Sequence, residues 1–69
     1  MSIGDLVMFV DEGHYAKYFW GQMGTVENYT PQGRDGNAHC RVRWLQPVPY
    51  HGRTSSVSDF RADCFKVLD

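Results

Sequence analysis

The strict alternation of apolar and polar residues over positions 38–44 (AHCRVRW) constrains the fold more than any other feature. Side chains on a β-strand point alternately to opposite faces. The apolar set on one face is Ala38, Cys40, Val42 and Trp44. The polar set on the other face is His39, Arg41 and Arg43. The stretch therefore predicts a half-buried strand that closes a small core with one face and shows solvent two guanidinium groups and an imidazole with the other.

The chain length predicts a single domain over residues 1–69, close to the lower size limit for a fold without staples. Its core must be compact, and four Phe, four Tyr and two Trp can fill it, each burying roughly 150–250 Å². Such a core leaves little room for a substrate pocket of about 300 Å³ or more. Size and composition together favour a binding module without a cofactor over an enzyme.

Charge and cysteine content narrow the classes of partner and compartment. The formal net charge of −1 gives no global field for nucleic acid or acidic membranes, so such binding would need a local patch. Two cysteines, Cys40 and Cys64, are too few for a disulfide scaffold, and we expect both to be small buried hydrophobes in a reducing compartment. With no secretion signal and no membrane-length apolar run, the expected location is cytoplasmic, without membrane insertion.

Strand signals recur along the chain, and helix signals do not. Besides the stretch 38–44, apolar and β-branched runs predict four strands, at Leu6 to Val10, Met23 to Tyr29, Thr54 to Phe60 and Phe65 to Leu68. Gly24, inside the second of these runs, indicates a bend or a close backbone approach. Arg61 to Cys64 is long enough for one 3₁₀ turn before the last strand.

Three segments between the strands are expected to be loops. Asp11 to Gln22 lacks a clear period and predicts a long, partly ordered loop. Thr30 to Asn37 is dense in turn formers, and its Asp35-Gly36 pair favours a hairpin turn. Gln46 to Gly52 predicts a second loop because its two prolines cannot donate to a ladder.

This arrangement predicts an all-β fold, a five-stranded SH3-like barrel with one short 3₁₀ turn before the last strand. Closing the sheet would remove the exposed edges that so small a sheet cannot otherwise protect.

Short motifs along the chain resemble the SH3-like barrel of photosystem I reaction-centre subunit IV. The residues that carry the resemblance are Leu6 to Val10, Tyr18 and Trp20, Gly24-Thr25-Val26, Val42-Arg43-Trp44, Tyr50 with Gly52, and Phe60 with Asp63. In that family the barrel is non-catalytic and helps to dock a soluble electron carrier through a basic side chain. The resemblance implies that role for Arg43 alone.

A second resemblance is to KOW-type small barrels, through Gly4-Asp5-Leu6-Val7 and the Gly24 to Val26 strand. Those modules bind RNA or ribosomal and transcription proteins. The opening strand of signalling SH3 domains, of the Ala-Leu-Tyr-Asp-Tyr type, is missing, so binding of proline motifs is not expected.

The polar face of the stretch 38–44 is the first candidate binding surface. His39, Arg41 and Arg43 would stand about 6.6–6.8 Å apart at each step, a spacing that suits successive carboxylates or phosphates. The alternative is an ordinary solvated strand face with cross-strand partners such as Glu27.

Clustered loop aromatics are the second candidate surface, since Tyr and Trp are favoured interface anchors. We expect Tyr15 and Tyr18 to be exposed, and Phe19 or Trp20 to fold back into the core. The complete predicted partner-binding set is Arg41, Arg43, His39, Tyr15, Tyr18, Trp20, Tyr50 and Arg53.

Metal binding and nucleophilic catalysis are not expected. The possible metal ligands, which lack the spacing of a known site, are His14, His39, Cys40, His51 and Cys64. The possible catalytic residues, which lie on one continuous segment, are His51, Ser55, Ser56, Ser58 and Asp59. A catalytic triad usually draws its members from separate elements.

The sequence therefore favours a non-enzymatic docking, adaptor or accessory-subunit module whose partner is a protein with an acidic surface. The first alternative is a KOW-like barrel that binds RNA or DNA through Arg41, Arg43, Arg53 and Arg34. The second is a small inhibitor or modulator of a larger enzyme, encoded by a mobile element.

Overall fold

A computed structural model describes residues 1–68 and shows an all-β fold with one antiparallel sheet. The strands are β1 (Leu6–Phe9), β2 (Met23–Thr30), β3 (His39–Tyr50), β4 (Arg53–Arg61) and β5 (Phe65–Leu68). Two short helical segments interrupt them, α1 (Ala16–Phe19) and a 3₁₀ turn (Ala62–Cys64). The all-β class, the five strands and the 3₁₀ turn before the last strand are confirmed.

The sheet has the strand order β4-β3-β2-β1-β5 and is not closed, because β4 and β5 form its two edges. The 3₁₀ turn connects these edges. Its first residue, Ala62, donates its N–H to the carbonyl of Ala38, and the carbonyl of its last residue, Cys64, accepts from Val10. A closed barrel is thus not confirmed, since a turn and isolated hydrogen bonds stand where barrel closure would place a ladder.

The core lies on the inner face of the sheet. Its buried members are Val7, Phe9, Phe19, Val26, Cys40, Val42, Trp44, Val48 and Phe65. The alternation on β3 is confirmed from Cys40 to Trp44, because Cys40, Val42 and Trp44 are buried while Arg41 and Arg43 are exposed. Ala38, which was expected on the same face, lies just before the strand and is half-buried. Aromatic rings fill the centre, with Phe9 centroids 5.9 Å from Phe19 and 5.4 Å from Phe65.

The long, partly ordered loop expected over residues 11–22 contains a single helical turn, α1, that was not predicted. The amides of Phe19 and Trp20 donate to the carbonyls of Tyr15 and Ala16. An isolated turn this short is unstable in water, so tertiary packing must hold it. Phe19 provides that packing at 2% exposure. One turn is too short to produce a readable period.

The expectation of a loop over residues 46–52 was wrong, because β3 continues to Tyr50 through two prolines. Pro49 lies opposite Thr54, one pair away from the Tyr50–Arg53 pair that closes the hairpin. Alternate pairs in an antiparallel ladder exchange no hydrogen bonds, so Pro49 forfeits none. The two turn residues, His51 and Gly52, have φ values of 50° and 75°, as a type I′ hairpin turn requires.

The turn predicted at Asp35-Gly36 is confirmed. Gly36 adopts a φ of 81° and donates its N–H to the carbonyl of Gly33 at 3.0 Å. The Asp35 carboxylate accepts the N–H of Asn37 at 3.0 Å. Local side-chain chemistry therefore fixes the connection between β2 and β3.

Candidate functional site

The polar face of β3 is engaged in ion pairs with both neighbouring strands. Arg41 donates from Nε and Nη2 to the two Asp59 carboxylate oxygens at 2.9 and 3.2 Å. Arg43 donates from Nε to Glu27 at 2.6 Å. The sheet register places Asp59 directly opposite Arg41, and Glu27 lies at the β2 bulge between Val26 and Asn28. The arrangement agrees with the solvated strand face that was the alternative interpretation.

His39, the third polar residue of this face, contacts Asp35 with 2.9 Å between Nε2 and Oδ1. The same carboxylate accepts the backbone N–H of Asn37. The hydrogen bond from Asn37 is the main cause, and the contact with His39 the next, of a pKa of Asp35 well below its ordinary value. The carboxylate therefore stabilises the β2–β3 turn in its ionised form.

We expect the stability of the domain to fall as the pH drops below about 4, in part because Asp35 then binds a proton in the unfolded chain while it stays ionised in the folded one. A carboxyl group whose folded pKa is depressed stabilises the fold above its unfolded pKa and loses that contribution as the pH falls toward the folded pKa. Asp35→Asn, which keeps an acceptor oxygen for Asn37, should flatten this acid limb. Urea unfolding from pH 2.5 to 7 checks it, and parallel pH profiles for the two proteins would contradict it.

Tyr15, Tyr18, Tyr50 and His51 form a surface group, here called the aromatic cluster, where α1 meets the β3–β4 hairpin. Ring centroids are 4.7 Å apart for Tyr18 and Tyr50, and 6.1 Å for Tyr15 and Tyr50. His51 lies 4.2 Å from Tyr50 and 5.2 Å from Tyr18. Phe60, which packs against the core, contacts the cluster, with 5.4 Å between its ring centroid and that of Tyr15. The fold thus unites two sequence segments more than thirty residues apart.

Exposure within the aromatic segment only partly follows the sequence-based expectation. Tyr15 is 45% exposed and Phe19 is buried, as predicted. Tyr18 was expected to be exposed but is half-buried, because its ring packs edge-on against Tyr50. Trp20 is 56% exposed and makes no ring contact with the aromatic cluster within residues 1–68. It follows the end of α1 and is separate from the other predicted aromatics.

The three tyrosine rings converge so closely that they affect one another's chemistry. Burial raises the pKa of the Tyr50 hydroxyl, and the nearby Tyr15 and Tyr18 raise it further. Tyr50 therefore stays a neutral phenol at physiological pH. Its hydroxyl can donate or accept a hydrogen bond while the ring offers apolar contact.

An open groove of about 560 Å³ runs along one side of the aromatic cluster. It is lined by Lys17, Tyr18, Pro49, Tyr50, His51 and Gly52. The Lys17 ammonium lies 5.1 Å from the centroid of the Tyr18 ring. Arg53 is the register partner of Tyr50. Neither Lys17 nor Arg53 is ion-paired with any residue that the structure describes.

A second cavity, of about 540 Å³, lies on the other side of the cluster. Its lining residues are Asp11, Gly13, His14, Tyr15, Phe60, Arg61, Asp63 and Cys64. Arg61 and Asp63 form an ion pair at its rim. Tyr15 and Phe60 form an aromatic wall of this cavity. The cavity adjoins the groove through Tyr15, whose ring centroid lies 6.1 Å from that of the groove residue Tyr50.

The two cysteine thiols have raised pKa values, and Ser58 and Asp59 face opposite sides of β4. Burial raises the pKa of the Cys40 thiol to about 11 and also raises that of Cys64, so both are protonated at neutral pH. Cys64 is only half-buried, which corrects the expectation that it belongs fully to the core. Ser58 accepts a hydrogen bond from Trp44 on the inner side, whereas Asp59 points outward to Arg41.

Four of the predicted site residues come together and four do not. Tyr18 and Tyr50 line the groove, and Tyr15 and Arg53 are neighbours of Tyr50. The other four, Trp20, His39, Arg41 and Arg43, lie elsewhere. Sequence reasoning missed Lys17 and His51 as neighbours of these tyrosines. The one local signal was the adjacency of Lys17 and Tyr18, and only the sheet register shows that the hairpin reaches them.

No protein-family model, curated protein or solved structure matches this chain. Within residues 1–68, no group of three His, Cys, Asp or Glu side chains is placed to hold a metal ion. The helices of that part of the chain are all too short to cross a membrane.

Proposed function

We propose that this chain is a non-enzymatic protein-interaction module that docks a partner protein through the aromatic cluster. The observation that carries the proposal is the convergence of Tyr15, Tyr18 and Tyr50 on one surface, with Tyr15 45% exposed. Rigid, amphipathic tyrosine rings supply contact area at low entropic cost and are common interface hot spots. We further propose an SH3-like architecture, in which the 3₁₀ turn draws the sheet edges together, and a cytoplasmic location.

The charge that attracts an acidic partner is assigned to Lys17 and Arg53 instead of Arg41 and Arg43. The β3 arginines already have carboxylate partners at 2.9 and 2.6 Å, and a new partner would have to compete with those contacts. Lys17 and Arg53 have no such competitor within residues 1–68 and border the aromatic rings. Exposed cations beside an apolar surface favour encounter with an acidic protein surface.

A comparison of variants in affinity capture tests the proposal. We expect Tyr15→Ala to lower recovery of protein partners from a lysate of the native host at least fivefold, because a truncated hot-spot side chain typically costs more than 1 kcal/mol. Trp20→Ala is the matched control, an exposed aromatic outside the cluster, and should leave recovery unchanged. Equal recovery by the wild type and both variants, all folded by circular dichroism, would remove this surface from consideration.

A KOW-like role in binding RNA or DNA remains the second candidate. It is favoured by the position of the Lys17 ammonium over the Tyr18 ring and by Arg53 beside Tyr50, because single-stranded nucleic acids bind to grooves that combine cations with stacking rings. Nuclease treatment of one of two matched capture samples separates the candidates. Material lost with nuclease, with an affinity that falls steeply with salt, would favour nucleic acid.

A further inference from the structure

The surface around the aromatic cluster has opposite charges at its two ends. At one end the groove carries Lys17, and Arg53 lies beside it. At the other end the cavity carries Asp11 and the Arg61–Asp63 ion pair. The rings lie between the two ends, with Tyr18 and Tyr50 lining the groove and Tyr15 and Phe60 lining the cavity.

The positive end is able to hold a carboxylate. Lys17 extends over the Tyr18 ring, and His51 and Arg53 come from the adjacent hairpin. No carboxylate lies among the lining residues of the groove. An incoming acidic side chain would therefore meet cations from two elements, with no resident competitor in that lining.

The negative end is suited to a basic side chain. The carboxylates of Asp11 and Asp63 line the cavity together with the rings of Tyr15 and Phe60. Arg61 neutralises Asp63, while Asp11 has only the backbone N–H of Gly13 as its hydrogen-bond donor among the described residues. A carboxylate combined with ring faces binds guanidinium and ammonium groups through both charge and cation–π attraction.

We infer that the partner presents an extended peptide segment of mixed charge, with an acidic residue at the Lys17–Arg53 end, apolar residues over the tyrosines, and a basic residue in the Asp11–Asp63 cavity. This inference rests on the proposed function and adds the chemistry of the ligand. The opposite charges fix the direction of the segment, because the reversed segment would place like charges together at both ends.

The ring positions limit the length of the recognised segment. Successive centroid steps are 4.7 Å from Tyr18 to Tyr50, 6.1 Å from Tyr50 to Tyr15, and 5.4 Å from Tyr15 to Phe60. At roughly 3.3 Å per residue, at most about five residues of extended chain cover that path. The acidic and basic residues of the partner should therefore be separated by two to four positions, on the order of one short linear motif.

Labelled synthetic ten-residue peptides test the inference by fluorescence anisotropy. One set carries a Glu pair and an Arg pair around two leucines, in both chain directions, and the other sets replace all charged positions by Glu, by Arg or by Gln. We expect one direction of the mixed-charge peptide to bind about threefold or more tighter than any other peptide, the scale of exposed ion pairs. Equal binding in both directions, tighter binding of a single-charge peptide, or no binding by any peptide would overturn the inference.

Two charge variants locate the ends of the peptide. Lys17→Glu should weaken the mixed-charge and all-Glu peptides about fivefold, and Asp11→Asn should weaken the mixed-charge peptide but not the all-Glu peptide. The matched controls are Lys66→Glu on β5 and Asp5→Asn, whose carboxylate accepts the N–H of Ser2. If Tyr15→Ala abolishes capture while neither charge variant changes peptide binding, the inference fails and the proposed function stands.

Discussion

Replacing Phe19 with alanine is expected to lower the free energy of unfolding by about 3–5 kcal/mol. The Phe19 ring is 2% exposed and stacks on Trp44 with centroids 5.3 Å apart. It also lies 5.2 Å from Phe60 and 5.5 Å from Tyr50, so it joins α1 to both β3 and β4. Folded domains have only about 0.05–0.15 kcal/mol of stability per residue. The loss is therefore comparable to the total stability of a domain this small.

Urea unfolding followed by tryptophan fluorescence measures this effect, and two variants separate its causes. Phe19→Leu keeps an apolar side chain and should cost about 1–2 kcal/mol, less than the alanine variant because it leaves a smaller cavity. Trp20→Ala, at the exposed position next in the chain, should change stability by about 0.5 kcal/mol or less. A similar loss at positions 19 and 20 would show that Phe19 does not anchor α1.

The contrast between Phe19 and Trp20 is a feature of the core that the sequence could not predict. Both are large aromatics in a segment without a clear period, and the sequence alone left open which of them enters the core. The single turn of α1 decides this, since it directs Phe19 inward and leaves Trp20 beyond its last residue. That turn depends on tertiary contacts with β3 and β4, so no local pattern could reveal it.

The β3 strand was predictable over its first half and not over its second. From His39 to Trp44, β3 is paired with β2 on one side and β4 on the other, and one of its faces covers the core. Apolar and polar residues therefore alternate strictly in this part of the strand. Beyond Trp44 only β4 is paired, the register shifts before Val48, and proline becomes tolerable at Pro49. The two prolines of the segment 46–52 predict a loop because the sequence does not show which positions of a strand form no ladder hydrogen bonds.

The candidate site was predictable in its residue types and less so in its assembly. Tyrosines on the segment 11–22 and basic residues on β3 and β4 were singled out, and cross-strand partners such as Glu27 for the polar face were the stated alternative. The structure pairs Glu27 with Arg43. The meeting of Tyr18 with Tyr50 was not, because it depends on the β3–β4 hairpin turning back over α1. Non-local contacts of this kind depend on the strand register. A shift of one residue would move the side chains of a strand to the opposite face of the sheet.

Gly24→Ala is expected to lower the free energy of unfolding by about 3 kcal/mol. A Cβ at this position would lie 2.5 Å from the carbonyl oxygen of Arg43 and 2.5 Å from Cγ1 of Val42. The first of these is backbone and the second belongs to a side chain with 0% exposure, so neither can move freely. The sequence indicated a bend or a close backbone approach at Gly24, and the structure shows the close approach, with β3 as the neighbour.

Gly4→Ala provides the matched control for this prediction, because it separates backbone strain from steric overlap. Gly4 has a φ of 92° with open space around its Cβ position, so alanine there should cost about 1–2 kcal/mol through left-handed strain alone. Gly24 requires no unusual φ, and its penalty comes from pushing β2 away from β3. Chemical denaturation of the two variants should therefore rank Gly24→Ala as clearly the less stable. A smaller loss at Gly24 than at Gly4 would contradict this prediction. It would mean that β2 and β3 can separate enough to admit a methyl group at little cost in free energy.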